Sequence, residues 1–400
     1  MISALIKVVM KNITTTTNKP RETNMHKAPS AAVITRTQSA GLDVVTLSRP
    51  NLVEYFITAF PVRGKSQFAM FESVANFIRE TGAVVVTQDV FGPCKFHKPA
   101  MMAMESFSGP VNWPVAWMEG DGYVADSITS TQIYAISGTK VEPIILDGQP
   151  VGGVFEDNNA RYCLLGDIRP LNIKAPRFDQ AYETFERMEK ALKLAGMDFS
   201  NVLRTWLYTS RILEWYGDLN KARDKFFEDN GVFKRLVPAS TGIGVLNPSG
   251  SAVVSDVFAV QPKTADVEIK EISSPLQCAA LDYRSSFSRA VELATPDNIN
   301  LYISGTASIE PEGATAHVGN LEKQIALSMD VVYAILESRG MKWGDVSRVA
   351  AYFKDIKEAP LFHKYCNENN LPTMPVAVAH ADICRDDLLF EIELDAIKRR

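Results

Sequence analysis

The stretch Gly196-Met-Asp-Phe-Ser-Asn-Val-Leu-Arg-Thr-Trp-Leu-Tyr208 decides the fold, because the chain says it twice. Gly196, Met197, Val202, Arg204 and Tyr208 return as Gly340, Met341, Val346, Arg348 and Tyr352, 144 residues later at all five positions. A constant offset without gaps is the mark of a duplicated structural unit.

The flanks agree. Phe178, Tyr182, Phe185, Met188 and Leu192 precede the first copy, and Leu321, Ile325, Met329, Val332 and Leu336 precede the second. Spacings of three and four put each set on one helical face, and the following glycine suits a helix C-terminus. Short apolar strands stand before each helix, at Tyr162-Cys-Leu-Leu-Gly166 and Leu301-Tyr-Ile-Ser-Gly305. A strand follows each Gly-Met, then a second helix, then a pair of strands opened by Pro238 or Pro375. Each unit therefore reads strand, helix, strand, helix, strand, strand: an α/β (α+β) module. A fainter third copy precedes them, with strands at Glu54–Ala59 and Ala83–Thr87 around a helix at Gln67–Arg79. It lacks the Gly-Met signature.

Turn-prone and polar stretches at 139–158 and 261–277 mark the boundaries. The expected organisation is a disordered leader over 1–40, its polar Thr-rich heart at 11–31, then modules at 41–150, 151–265 and 266–400. Composition is that of a globular protein, 46% hydrophobic and 22% charged, with a net charge of −5. That balance disfavours a nucleic-acid binder, which needs a basic surface. Nowhere does an apolar run reach the roughly 20 residues that cross a bilayer, and the opening residues do not form a secretory signal. Five dispersed cysteines and five histidines lack metal-ligand or redox spacing. The expectation is a cytoplasmic protein without metal or organic cofactor, and without a nucleic-acid or membrane partner.

The C-terminal module resembles the Rid/YjgF-like family (the chorismate mutase-like fold) over its full length, from Leu301-Tyr-Ile-Ser-Gly-Thr to Phe390-Glu-Ile-Glu-Leu. That family forms trimers with active sites between subunits, so three modules in one chain imply an intramolecular pseudo-trimer. A narrower resemblance is to the chorismatases, which cleave chorismate to pyruvate and a ring product. It is carried by Leu203-Arg-Thr-Trp-Leu-Tyr208, Pro238-Ala-Ser-Thr-Gly-Ile-Gly244, Ile303-Ser-Gly-Thr-Ala-Ser-Ile309 and Ala381-Asp-Ile-Cys-Arg-Asp-Asp-Leu-Leu-Phe-Glu-Ile-Glu393. It runs from about residue 150 to the C-terminus. Leu207 stands where chorismatases usually have asparagine, and Glu310-Pro-Glu-Gly313 replaces their Gly-His turn.

The resemblance implies a small anionic metabolite as ligand. Protonating an enol ether calls for a carboxylic acid with a raised pKa, and Glu391 matches the family's working glutamate. Strand alternation sends Glu391 and Glu393 to the same face. Arg385, in the preceding loop, either grips a substrate carboxylate in bidentate fashion or pairs with Asp386 or Asp387. Arg204 and Tyr208 are ligand contacts by the motif match, or structural residues, since Arg348 and Tyr352 repeat them. Ser240, Thr241 and Gly242 form a small anion cradle or a plain turn. Gln324, at the start of its helix, faces the site or solvent. His317 and His380 read as structural, and Cys384 as a pocket-lining thiol at most.

Three functions compete: a chorismatase-like hydrolase or lyase, a Rid-type enamine/imine deaminase, and a non-catalytic metabolite-binding or assembly protein. The deaminases' carboxylate-binding arginine belongs just after Pro375, where this chain has Val376-Ala-Val-Ala379. The expected assembly is a monomeric pseudo-trimer or a homo-oligomer.

Overall fold

Residues 31–119, 127–283 and 285–400 are described by the structure, a computed structural model. The first module contains β1 (Val33–Ser39), β2 (Leu42–Arg49), β3 (Leu52–Ala59), α1 (Ala69–Thr81), β4 (Val84–Phe91), α2 (His97–Ser108), β5 (Val115–Met118) and β6 (Ser130–Ser137). The second contains β7 (Glu142–Leu146), β8 (Gln149–Glu156), β9 (Ala160–Ile168), α3 (Arg177–Leu194), β10 (Val202–Thr209), α4 (Tyr216–Asp229), β11 (Ala239–Gly244) and β12 (Val253–Pro262). The third contains β13 (Glu268–Ile272), β14 (Ala290–Ala294), β15 (Asn298–Ala307), α5 (Leu321–Ser338), β16 (Val346–Phe353), α6 (Pro360–Glu368), β17 (Val376–His380) and β18 (Phe390–Arg399).

The three six-stranded sheets share one topology. Their strand orders are β1-β2-β3-β6-β4-β5, β7-β8-β9-β12-β10-β11 and β13-β14-β15-β18-β16-β17. Even the irregularities repeat. Register slips between Val85 and Thr87, between Val202 and Arg204, and between Val346 and Arg348, at the same point of each sheet. A bulge kept at one place in three copies belongs to the fold.

Three features differ from the sequence expectation. β1 lies inside the segment assigned to a leader; residues 1–30 lie outside the described residues. The second module begins near residue 140 rather than 151, because the turn-prone stretch is a hairpin, β7–β8. Its tip is Asp147-Gly148, both at positive φ (52° and 79°), the pair that a tight two-residue hairpin prefers. Gly152 permits close strand approach, since a Cβ there would lie 2.0 Å from the Leu164 carbonyl oxygen. Finally, every module has three strands before its first helix, not one. Of the leading strands, β1 is mostly exposed, and β7, β13 and β14 are only five residues long, so they carry little apolar periodicity.

Helices cover one face of each sheet and enclose separate clusters, around Phe71 and Trp117, around Phe185 and Phe226, and around Met329 and Phe390. The opposite faces meet in one shared core that takes Leu52 and Phe91 from the first module, Phe155 and Trp206 from the second, and Tyr302 and Tyr352 from the third. β4 and β5 touch β9, β11 touches β15, and β16 and β17 touch β3 and β6. The ring of contacts closes, so the chain is an intramolecular pseudo-trimer.

Candidate active site between the second and third modules

β18 places three carboxyls on one buried face: Glu391, Glu393 and Asp395. Their surroundings set them apart. Glu393 accepts from Arg204 at 2.5 Å and from Arg348 at 3.0 Å, and Thr241 also donates to it. Burial works against its charge, but Arg348 and Arg204 outweigh burial and hold it below the usual carboxylate range. Glu391 has no such pairing. Burial, then the neighbouring charge of Glu393, pushes it up to about 8, against the pull of Arg204 and Arg289. One carboxylate and one carboxylic acid thus stand two residues apart, a separation that defines acid and base roles.

Glu391 opens into a cleft between the second and third modules. Gly305 makes room for it: a Cβ there would lie 2.1 Å from Glu391 Oε1. The cleft wall carries three cations, Arg223 from α4, Arg289 just before β14, and Arg385 from the loop before β18. Arg289 is 4% exposed; its Nε donates to the Cys278 carbonyl at 2.9 Å, and its NH2 has no partner. Its guanidinium also lies over Tyr283 at 5.3 Å and Phe287 at 5.7 Å. Arg223 is equally buried, with Nε unpartnered and NH2 bonded to Asn220 at 2.7 Å. Buried cations with unspent donors are built to receive an anion.

Of the residues singled out from sequence, Glu391, Ser240, Gly242 and Arg385 line this cleft. Arg385 donates to the Gly313 carbonyl at 2.8 Å and stacks over Tyr283 at 5.5 Å, so it is no surface ion pair with Asp386 or Asp387. Cys384 lines the cleft too, its thiol pushed up to about 12 by burial.

The other four expected ligand contacts do not line it. Arg204 and Tyr208 alternate with the cleft-lining Leu207 on β10, so pleating turns them into the interior. Arg204 donates to Thr241 at 2.6 Å and to Glu393, which makes it a structural partner of the carboxylate. Thr241, between Ser240 and Gly242, is turned inward by the same alternation; it donates to Glu393 and accepts from Gly305 N at 2.9 Å. Gln324 is fully buried. Its Nε2 donates to the Asp387 carbonyl (2.9 Å) and its Oε1 accepts from Leu389 N (2.8 Å), which pins the loop before β18. His317 is exposed at φ 56°, and His380 is partly exposed at the end of β17; neither lines the cleft.

Sequence reasoning missed Arg223, Arg289, Tyr216 and Tyr283. A signal existed for Arg223, which sits on the apolar stripe of α4 with Leu219, Ala222 and Phe226. An arginine in apolar helical register either pairs in the core or faces a ligand. Arg289 abuts the fully buried strand Ala290–Ala294 after a serine-rich turn, a weaker cue.

Residues 278–398 match the family described as Endoribonuclease L-PSP. A chorismatase of Streptomyces hygroscopicus is 29% identical over 221 residues, which cover 50% of this chain and 62% of that protein. A chorismatase of Streptomyces rapamycinicus is 27% identical, covering 50% and 65%. A 3-hydroxybenzoate synthase of Streptomyces hygroscopicus is 25% identical over 274 residues, covering 62% and 76%. The matched region spans less than two thirds of either chorismatase. A crystal structure of a chorismatase superposes with a TM-score of 0.58 at 18% identity, over 85% of this chain and 97% of that one. Fold and repeats make this chain a tandem array of three modules with one topology, the last of which matches that family. The curated relatives that match about half of it are chorismatases.

Proposed function

We propose that this chain cleaves the enolpyruvyl ether of chorismate, releasing pyruvate, with Glu391 as general acid. Chorismate carries two carboxylates, and the cleft offers Arg223, Arg289 and Arg385 to hold them. Glu391 delivers its proton to the enol-ether methylene. The carbon bearing the ether oxygen becomes an oxocarbenium centre, which the negative charge left on Glu391 stabilises. Water captures that centre to give a hemiketal, which collapses to pyruvate and a dihydrodiol. Capture by the neighbouring ring hydroxyl leads instead toward a hydroxybenzoate. Either route regenerates the acid, because the capturing hydroxyl passes its own proton to the Glu391 carboxylate, in place of the one now held in the methyl group of pyruvate.

The observation that carries this reading is a buried carboxyl, raised to about 8, in a cleft walled by three arginines. At neutral pH it is mostly protonated and able to donate. β17, Val376–His380, carries no arginine, which leaves deaminase chemistry without its carboxylate anchor there.

The test is incubation of purified protein with chorismate and a coupled assay for pyruvate. Release that disappears in Glu391→Gln supports the reading. No pyruvate from the native protein, or an unchanged rate in Glu391→Gln, overturns it.

A further inference from the structure

The pseudo-threefold arrangement creates a second cleft of the same construction, between the first and second modules. The pairing registers fix the correspondence. Tyr352 pairs with Glu391, Tyr208 with Val254 and Phe91 with Ser130, so Val254 stands where the acid would be. Leu207 pairs with Gly242, and Val90 with Trp117. Thr306 pairs with Ile392, and Ile168 with Ser255, so the next residues, Ala307 and Arg169, also match. Ala290 pairs with Ile303, and Gly152 with Leu165, which sets Val151 opposite Arg289 in the comparison. The edges are joined alike: Gly244 exchanges backbone hydrogen bonds with Asp382, and Glu119 N donates to the Leu246 carbonyl.

The second cleft is open, about 540 Å³, and its lining has been rebuilt rather than filled. The acid and the Arg289 anchor are replaced by valines. In their stead come two indoles, Trp113 and Trp117, whose N–H groups are spent on Gln88 (2.9 Å) and on the Gly92 carbonyl (2.7 Å). What they offer a ligand is hydrocarbon ring. Two cations face the same space. Arg187 is 7% exposed, bonded to Asp147 at 2.6 Å, with its Nε lacking any partner. Arg169 is held only loosely, 3.6 Å from Asp167.

We propose that this cleft is a non-catalytic site for a small planar aromatic ring bearing one carboxylate. The indoles take the ring by apolar and edge contacts. Arg169 and the unspent Nε of Arg187 take the carboxylate. With Val254 in place of the glutamate, the acid of the first cleft has no counterpart at its position, and the nearest raised carboxyl, Asp167, lies beside Arg169 instead, so the ligand binds and does not react. The inference stands on the repeat geometry and does not require the proposed chemistry at Glu391.

The experiment is calorimetric titration of the native protein, and of Arg169→Ala, with benzoate as the probe. Arg169 is partly exposed, and its removal leaves the core untouched. Native protein should bind benzoate saturably, and Arg169→Ala should lose one equivalent per chain or bind it at least tenfold more weakly. Pyruvate release from chorismate should be the same in both proteins. Benzylamine, with the same ring and the opposite charge, should not compete. No saturable benzoate binding, an isotherm unchanged by Arg169→Ala, or equal competition by benzylamine overturns the proposal. Loss of pyruvate release in Glu391→Gln is read separately, so the two proposals stand or fall apart.

Discussion

Glu391 links acidity to stability in one measurable direction. Its proton is bound more tightly in the folded chain, near 8, than in an unfolded chain near the ordinary carboxylate value. Its contribution to stability is therefore complete below about 4.5 and is lost as pH rises toward 8. Glu391→Gln cannot ionise, so its melting temperature should exceed that of the native protein at pH 9 and converge with it near pH 5. Activity should follow the same group: kcat/KM for chorismate falls about tenfold per pH unit above about 8. A flat alkaline limb to pH 9.5 would mean another group supplies the proton. Gly305 gives a second test at this scale. Gly305→Ala puts a methyl group where Oε1 of Glu391 now lies, so the acid must turn away. We expect kcat/KM to fall by about 100-fold, the usual consequence of misplacing a reacting group by an ångström or so. The pyruvate assay reads the loss, and near-native activity would show that the acid need not sit where Gly305 allows it.

At the scale of elements, β10, β11 and β18 cooperate to keep one carboxyl charged so that its neighbour stays neutral. Glu393→Gln removes the second-largest influence raising Glu391 and frees Arg204 to act on it. The alkaline break in the activity profile should then move down by about one unit. Stability should drop by about 3–5 kcal/mol, because Arg204 and Arg348 lose their buried partner; urea unfolding measures it. An unmoved break would remove Glu393 from the account. The same elements explain what was legible beforehand. Alternation on a ten-residue strand is a local rule, and it put Glu391 and Glu393 on one face correctly. It also turns Arg204, Thr241 and Tyr208 away from Leu207, Ser240 and Gly242, but which face meets the cleft depends on the partner module. That is a tertiary fact. Arg223 and Arg289 sit more than 60 residues apart and meet only where α4 packs beside the turn before β14, so neither spacing nor motif joins them. The leading hairpins were missed because Asp147-Gly148, Gly152 and Gly153 look like a linker and function as a tight turn and a close strand crossing.

For the whole molecule, the decisive feature is that three similar sheets share one core while their clefts have diverged. Each inner face buries large side chains only against the other two, and full burial of one such side chain stabilises by roughly 1.5–3 kcal/mol. Leu52 and Phe91 of the first module meet Phe155, Trp206, Tyr302 and Tyr352 there. A buried charge cluster ties the first and second modules as well: Arg49 pairs with Glu54 and, at 2.6 Å, with Asp157, and donates to Tyr162 at 2.9 Å. The first module is therefore a structural third of the core although it lies on the far side from Glu391. A chain lacking residues 1–138 retains every residue of the candidate active cleft but exposes the inner faces of the other two sheets. We expect that fragment to bind hydrophobic dyes, to lose a sharp thermal transition and to release no pyruvate. The intact chain should unfold in a single step by fluorescence and by circular dichroism. A fragment that melts cooperatively and turns over chorismate would show that two modules suffice, and that the shared core contributes far less than its buried side chains imply.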